Sequence, residues 1–264
     1  MIDFHNHFLP NVDDGPSSMD ISIDMLRNAS KQGIAHVVQT VHYQHPKMEG
    51  KNVEYEFLVG QVKNLEKKLA EEKINIKISL SAEVFYLPNL LDIYTNPLVT
   101  IGNSKYMLIE FRTNLFPFEY EQQFYNLQLK GITPIIAHPE RYRFIQNDIG
   151  ILSSWKEKGY IIQVDAGSPI GQFGKNVQDI SREIIDYELL HLIGSDAHNN
   201  KKRNFCISES YNFIEKAKSA EFVEQLKLNV EHLLSGNEIS NFEPINKNKA
   251  YNVFDFFFKL FKKL

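Results

Sequence analysis

The chain has 264 residues, 43% hydrophobic and 23% charged, enough to bury a sizeable core and too apolar for a disordered polypeptide. A net charge of −4 and a pI near 6.2 exclude a generic nucleic-acid binder, and no apolar run approaches the roughly 20 residues of a membrane-spanning helix. One cysteine, Cys206, excludes an intramolecular disulfide, and the opening Met1-Ile2-Asp3-Phe4-His5 lacks a signal core, so a cytoplasmic protein is expected.

Short apolar runs alternate with amphipathic ones. Strands are predicted at residues 2–4, 34–40, 74–80, 106–110, 133–137, 160–164 and 189–193, each rich in Ile or Val and bounded by Gly, Pro, Asn or Ser. The first helix starts at a cap supplied by Ser17 or Ser18 and runs through Lys31, where Gly33 stops it. Apolar spacing predicts further helices near residues 53–72, 119–129, 149–158 and 177–187. Two more follow the last strand, near 207–219 and 221–235. This alternation implies βαβ units and a mainly parallel sheet. Seven units suit a barrel, and an open doubly wound sheet fits the same pattern.

The nine histidines are the unusual feature. Parallel α/β folds place their chemistry where strands end. Here the first predicted strand runs into His5-Asn6-His7, with Asp13-Asp14-Gly15 in its loop. His42 and His45 follow the second, Glu83 the third, Glu110 closes the fourth, and His138 follows the fifth. The sixth leads to Asp165, and the seventh to Asp196 and His198. Alternation with period two sends His5 and His7 to one face, and the same is expected of Asp196 and His198. Imidazoles and carboxylates without thiolates suit Mn, Fe, Co or Zn, and about nine ligands imply two or three ions. His191, His36 and His232 read as satisfied core residues and His45 as a surface loop residue.

Ile2-Asp-x-His-x-His7, Leu9-Pro-x-x-Asp-Asp-Gly15, Thr40-x-His42, His138-Pro-Glu-Arg141 and Ser195-Asp-x-His198 together resemble the PHP (polymerase and histidinol phosphatase) superfamily. The resemblance is to its bacterial protein-tyrosine phosphatase branch, the CpsB/CapC/YwqE type linked to capsule and exopolysaccharide synthesis. It implies a distorted (β/α)7 barrel with C-terminal helices and a trinuclear, usually manganese-dependent centre. By matching motif, His5, His7, Glu83 and Asp196 would surround one ion. Glu83 would bridge to a second ion held with Glu110 and His138. Asp14, His42 and His198 would take a third. Arg141 and Arg203 match the phosphate-binding arginines of the branch, whereas Asp165 matches no family role. The implied reaction is attack of metal-bound hydroxide on phosphotyrosine, with a membrane-bound tyrosine kinase as partner. A small-molecule phosphatase such as a histidinol-phosphate phosphatase, or an inactive metal-binding module, are the alternatives. A cysteine-dependent mechanism is excluded, because Asn212 stands where an arginine would have to follow Cys206.

The resemblance covers residues 1–235, which are read as the phosphatase domain, with 236–250 as a linker. Residues 251–264 form a separate segment. On a helix, Phe254, Phe256, Phe257, Phe258, Leu260, Phe261 and Leu264 would share one face, opposite Asp255, Lys259, Lys262 and Lys263. Docking on the barrel, self-association, or weak contact with an anionic membrane surface would cover that face.

Overall fold

A computed structural model describes residues 1–48, 51 and 53–242. Seven parallel strands lie side by side in sequence order: β1 (Ile2–Asn6), β2 (His36–Tyr43), β3 (Lys77–Phe85), β4 (Tyr106–Glu110), β5 (Thr133–Ala137), β6 (Ile161–Asp165) and β7 (Leu192–Gly194). The helices are α1 (Met19–Lys31), α2 (Tyr55–Glu71), α3 (Leu90–Ile93), α4 (Tyr120–Leu129), α5 (Arg143–Asn147), α6 (Gly150–Glu157), α7 (Lys175–Asp186), α8 (Ile207–Ala217) and α9 (Ala220–Ser235). Strand order without reversal excludes the doubly wound sheet and leaves the barrel. Its seam is closed by short contacts between β1 and the chain beyond β7. Asp196 N donates to His5 O and His7 N to Ala197 O, each at 2.8 Å. The buried Asp3 carboxyl, pushed up to about 6 by burial, accepts from Ser195 N at 3.1 Å and from Ser195 Oγ.

All seven strands and the seven long helices lie close to the predicted ranges, and Ser18 caps α1 by accepting from Ile21 N. Three strands start clearly later than predicted, among them the seventh, expected from Leu189, which begins at Leu192. Prediction starts the second and third at Ile34 and Ile74, but Ile34 is buried in the loop before β2, and Ile74 packs against the core from the loop before β3. Both strands run on through His42 and Glu83, polar residues that pattern reading takes as loop. The short α3 and α5 are not anticipated, since four or five residues carry no period.

The inward face of the barrel changes character along its axis. Near the N-terminal ends of the strands it is apolar: Phe4, Val38, Tyr106, Leu108, Ile135, Ile161 and Leu192 pack together with Val230 and Leu233 of α9 below them. Two or four residues further along the same faces stand His42 on β2, Glu110 on β4, and Gln163 and Asp165 on β6. Register pairs His42 with Glu83 and sets Glu110 opposite Phe85, two residues further along. A second, larger apolar layer separates the strands from the surrounding helices and centres on Phe111, Phe124, Tyr142 and Trp155.

Residues 237–242, the start of the stretch read as a linker, lie against the barrel base. Tyr106 Oη donates to Asn237 O at 2.7 Å, Asn241 meets the buried His191, and Phe242 stacks on Phe222. The remainder of that stretch and the aromatic segment 251–264 lie outside the described residues. No helix of the described residues is long and apolar enough to cross a membrane.

Candidate metal centre

Nine side chains named from the sequence converge at the C-terminal end of the barrel: His5, His7, Asp14, His42, Glu83, Glu110, His138, Asp196 and His198. His5 and His7 leave β1 where its register breaks between Asp3 and Asn6, so both rings turn toward the axis, 5.7 Å apart. Asp196 and His198 do not alternate on a strand as predicted, because β7 ends at Gly194. A left-handed backbone at Asp196 (φ 47°) bends the chain instead, and His198 Nδ1 donates back to Asp196 O at 2.8 Å. His138 is also left-handed (φ 33°), and such strain at two non-glycine residues marks a functional site.

Three overlapping groups of donors form, each with its atoms within 4.8 Å of one another: His5, His7, Glu83 and Asp196; His7, Asp14, His42 and His198; and His42, Glu83 and Glu110. The first is the set expected for one ion. The second adds His7 to the expected set. In the third His42 joins Glu83 and Glu110, while His138 approaches Glu83 Oε1 from the other side at 2.9 Å. Glu83 lies at the centre, with Oε1 3.3 Å from His5 Nε2, and Oε2 3.4 Å from His7 Nε2 and 3.2 Å from His42 Nδ1. Asp14 Oδ1 lies 3.2 Å from His42 Nε2 and 3.1 Å from His198 Nε2.

Whether a metal fits is decided by atoms left without partners. His5 Nε2, His7 Nε2, His42 Nδ1, Glu110 Oε2, His138 Nδ1 and Asp196 Oδ1 are buried and make no hydrogen bond. Leaving one such group unsatisfied costs about 1–3 kcal/mol, so six in one place would be ruinous without a ligand. Ligands about 2.0–2.2 Å from a shared ion stand roughly 3–3.6 Å apart, the spacing seen around Glu83. The residues fit divalent ions.

A second layer aims these donors. His7 Nδ1 donates to Asp13 Oδ2 at 2.8 Å, and His5 Nδ1 donates to Gln163 Oε1 at 3.1 Å. Each bond turns Nε2 toward the centre as a lone pair. Asp13 is itself held by Gly15 N at 3.0 Å, and Gly15 is obligatory because a Cβ there would fall 2.5 Å from His7 O. Gln39 fixes the following turn by accepting from Phe8 N and Leu9 N. Asp13 stands in the Asp-Asp-Gly motif, but Gln39 and Gln163 escape sequence reading. Their one signal is an amide inside an otherwise apolar strand, as in Ile161-Ile-Gln163-Val. His45, read as a surface residue, stands at the rim with Nε2 3.7 Å from Glu110 Oε2. His191 is buried and bonded at both nitrogens, His36 is half-buried on Ser79, and His232 is a partly exposed residue bonded to Glu238 O.

Arg141 and Arg203 meet at one oxygen. Arg141 Nη1 and Arg203 Nη2 each donate to Asp196 Oδ2 at 2.6 Å, leaving Oδ1 to face His5 and His7. Burial would raise the Glu83 carboxyl, but His5, His138 and His7 outweigh it and hold it well below the ordinary range. Burial of Asp196 is likewise overcome, by Arg203, His198, His5 and Arg141. Glu110 goes the other way: burial, then the Glu83 charge, pushes it up to about 8. Burial would lower His7, yet Asp13 and Glu83 raise it well above its usual value. Burial and Arg141 hold His138 down at about 4, so its ring is neutral at pH 7.

Two outcomes follow. Gln163→Ala frees the His5 ring and removes the bond from His138 N, and should weaken metal affinity by about 10- to 100-fold, read by competition with a chelating dye. An unchanged affinity would show that Gln163 does not aim the site. Metal and proton compete for the same lone pairs, and in the metal-free site Glu110, pushed up to about 8, holds a proton at pH 7 while His7 is shifted toward its protonated form. Metal uptake should therefore release protons at pH 7 and tighten as pH rises toward about 8, measured by calorimetry in buffers of different ionisation enthalpy. Uptake without proton release would contradict these protonation states.

Comparisons with known proteins give the chain's family. Residues 1–235 match the profile of a family described as capsular polysaccharide synthesis, CpsB/CapC. Tyrosine-protein phosphatase YwqE of Bacillus subtilis (strain 168) is 36% identical over 257 residues, 96% of this chain and 100% of that protein. A putative tyrosine-protein phosphatase CapC from Staphylococcus aureus is 33% identical over 213 residues, 80% of this chain and 82% of its own. The fold superposes with a TM-score of 0.86 at 36% identity, over 94% of this chain and 100% of the other, on a structure from work on YwqE of Bacillus subtilis and CpsB of Streptococcus pneumoniae, described as unique metal-dependent tyrosine phosphatases. The chain belongs to the CpsB/CapC family of capsular polysaccharide synthesis proteins.

Proposed function

We propose that this chain is a metal-dependent protein-tyrosine phosphatase, hydrolysing phosphotyrosine on a membrane-bound tyrosine kinase that serves polysaccharide synthesis. The observation that carries the reading is the convergence of unpartnered imidazole and carboxylate atoms around Glu83, beside two arginines. Relatives of similar length, named as tyrosine-protein phosphatases, support the substrate class. Donors of nitrogen and oxygen only suit manganese, iron, cobalt or zinc, and the family resemblance favours manganese, with up to three ions across the three groups. We assign residues 1–235 as the catalytic domain.

His5, His7, Asp14, His42, Glu83, Glu110, His138, Asp196 and His198 would hold the ions. Bound there, divalent metal lowers the pKa of water toward neutrality and neutralises phosphate charge. The protein's own part is orientation and charge. Arg141 and Arg203 are 25% and 30% exposed, so each guanidinium can turn from Asp196 to the phosphate oxygens. Their planar forks match charge developing on those oxygens. Cys206 takes no part: burial pushes its thiol far above the range in which it ionises.

The test compares a phosphotyrosine peptide with histidinol phosphate, each with Mn²⁺ and with EDTA. The peptide should be the better substrate, EDTA should abolish its turnover, and Cys206→Ser should leave it unchanged. Activity surviving thorough chelation would overturn the metal mechanism. A clear preference for histidinol phosphate would overturn the substrate class.

A further inference from the structure

The turn that joins β6 to α7 lies under both arginines, and its residues are held in place from several sides. Asp165, the last residue of β6, is fully buried. Gly167 N donates to its Oδ1 at 2.8 Å, which leaves Oδ2 to accept from Arg141 Nη1 at 3.3 Å. Glu140, also fully buried, fixes the turn itself: its Oε1 accepts from Asp165 N at 2.9 Å and from Ser168 Oγ at 2.6 Å. Gly167 makes room for an aromatic ring, since a Cβ there would fall 2.8 Å from Phe173 Cε2 and 2.6 Å from Gln172 Oε1. That ring faces both cations. The guanidinium carbon of Arg141 lies 4.9 Å from its centroid and that of Arg203 lies 5.9 Å away.

We propose that this turn is a seat for the two arginines, in which Asp165 and Phe173 are positioning residues that pre-orient them for phosphate. The inference rests on the phosphatase reading above. Arg141 and Arg203 share one oxygen of Asp196, and turning toward a phosphate loosens that hold. A long side chain released into water loses its orientation, and binding must then restore it. Arg141 stays tethered through Asp165 while it turns. Arg203 has no second carboxylate partner among the described residues and relies on the Phe173 face. The seat is therefore asymmetric. Asp165 acts through Arg141 alone, and Phe173 acts through both.

That asymmetry sets the experiment. Inorganic phosphate serves as competitive inhibitor of the manganese-loaded enzyme, with metal content, KM and kcat for a phosphotyrosine peptide measured alongside. Asp165→Asn and Phe173→Leu should each raise the phosphate inhibition constant by about tenfold, raise KM more than they lower kcat, and leave metal content unchanged. In an Arg141→Ala background, Asp165→Asn should add less than about twofold, whereas Phe173→Leu should still weaken phosphate through Arg203. Phe173 is half-buried, so its replacement keeps the test open should Asp165→Asn fold poorly. Equal weakening by Asp165→Asn with and without Arg141, or loss of metal from either variant, would overturn the seat. A wild-type enzyme that neither hydrolyses the peptide nor binds phosphate would overturn the phosphatase reading itself, and the seat with it.

Discussion

The carboxylate of Glu83 is the constraint on which the rest depends. It sits on β3 at 1% exposure, with His5, His7, His42 and His138 all within 3.4 Å of its oxygens. An ionised carboxylate in such a place is tolerable only with opposing charge close by. Removing one member of a buried ionic cluster costs about 3–5 kcal/mol, because the partner is left uncompensated. Four strands must therefore deliver their ends to one point, and only a sheet curled into a barrel does so. The seam between Asp3 and Ser195 finishes that curl and brings Asp196 alongside His5.

The division of the barrel into an apolar base and a polar mouth follows from the same demand. Val38 and His42, Leu108 and Glu110, Ile161 and Asp165 each share a strand face, so one face supplies both packing and chemistry. The base is plugged by α9, which excludes water from below and lowers the dielectric around the site. Burial then acts on each group according to its neighbours. Glu83 and Asp196 stay ionised because cations and imidazoles surround them, while Glu110, next to Glu83, keeps its proton at pH 7.

Much of this is legible in the sequence, for a physical reason. Alternating strands and helices follow from period, and strand ends reveal themselves because His42, Glu83, Glu110 and His138 interrupt apolar runs. What stays hidden depends on tertiary contact. The bend that unites Asp196 with His198 is a backbone conformation with no periodic trace. Gln163 looks like an ordinary strand residue until the His5 ring it orients is in place, and Gln39 until the turn at Phe8 and Leu9 closes on it. Asp165 is visible at a strand end, but its partner Arg141 lies 24 positions away. The polar ends of β2 and β3 read as loop because the pattern assumes an apolar interior, which this barrel abandons at its mouth.

Diffraction from crystals grown with Mn²⁺, recorded on both sides of the manganese absorption edge, tests whether Glu83 is the hub of a metal cluster. Anomalous peaks should appear within ligand distance of the three donor groups, with Glu83 shared between two of them and Gln163 and Asp13 still behind their histidines. Fully ordered crystals with no peak at Glu83, its carboxylate bonded only to imidazole protons, would contradict a metal-holding role for that carboxylate.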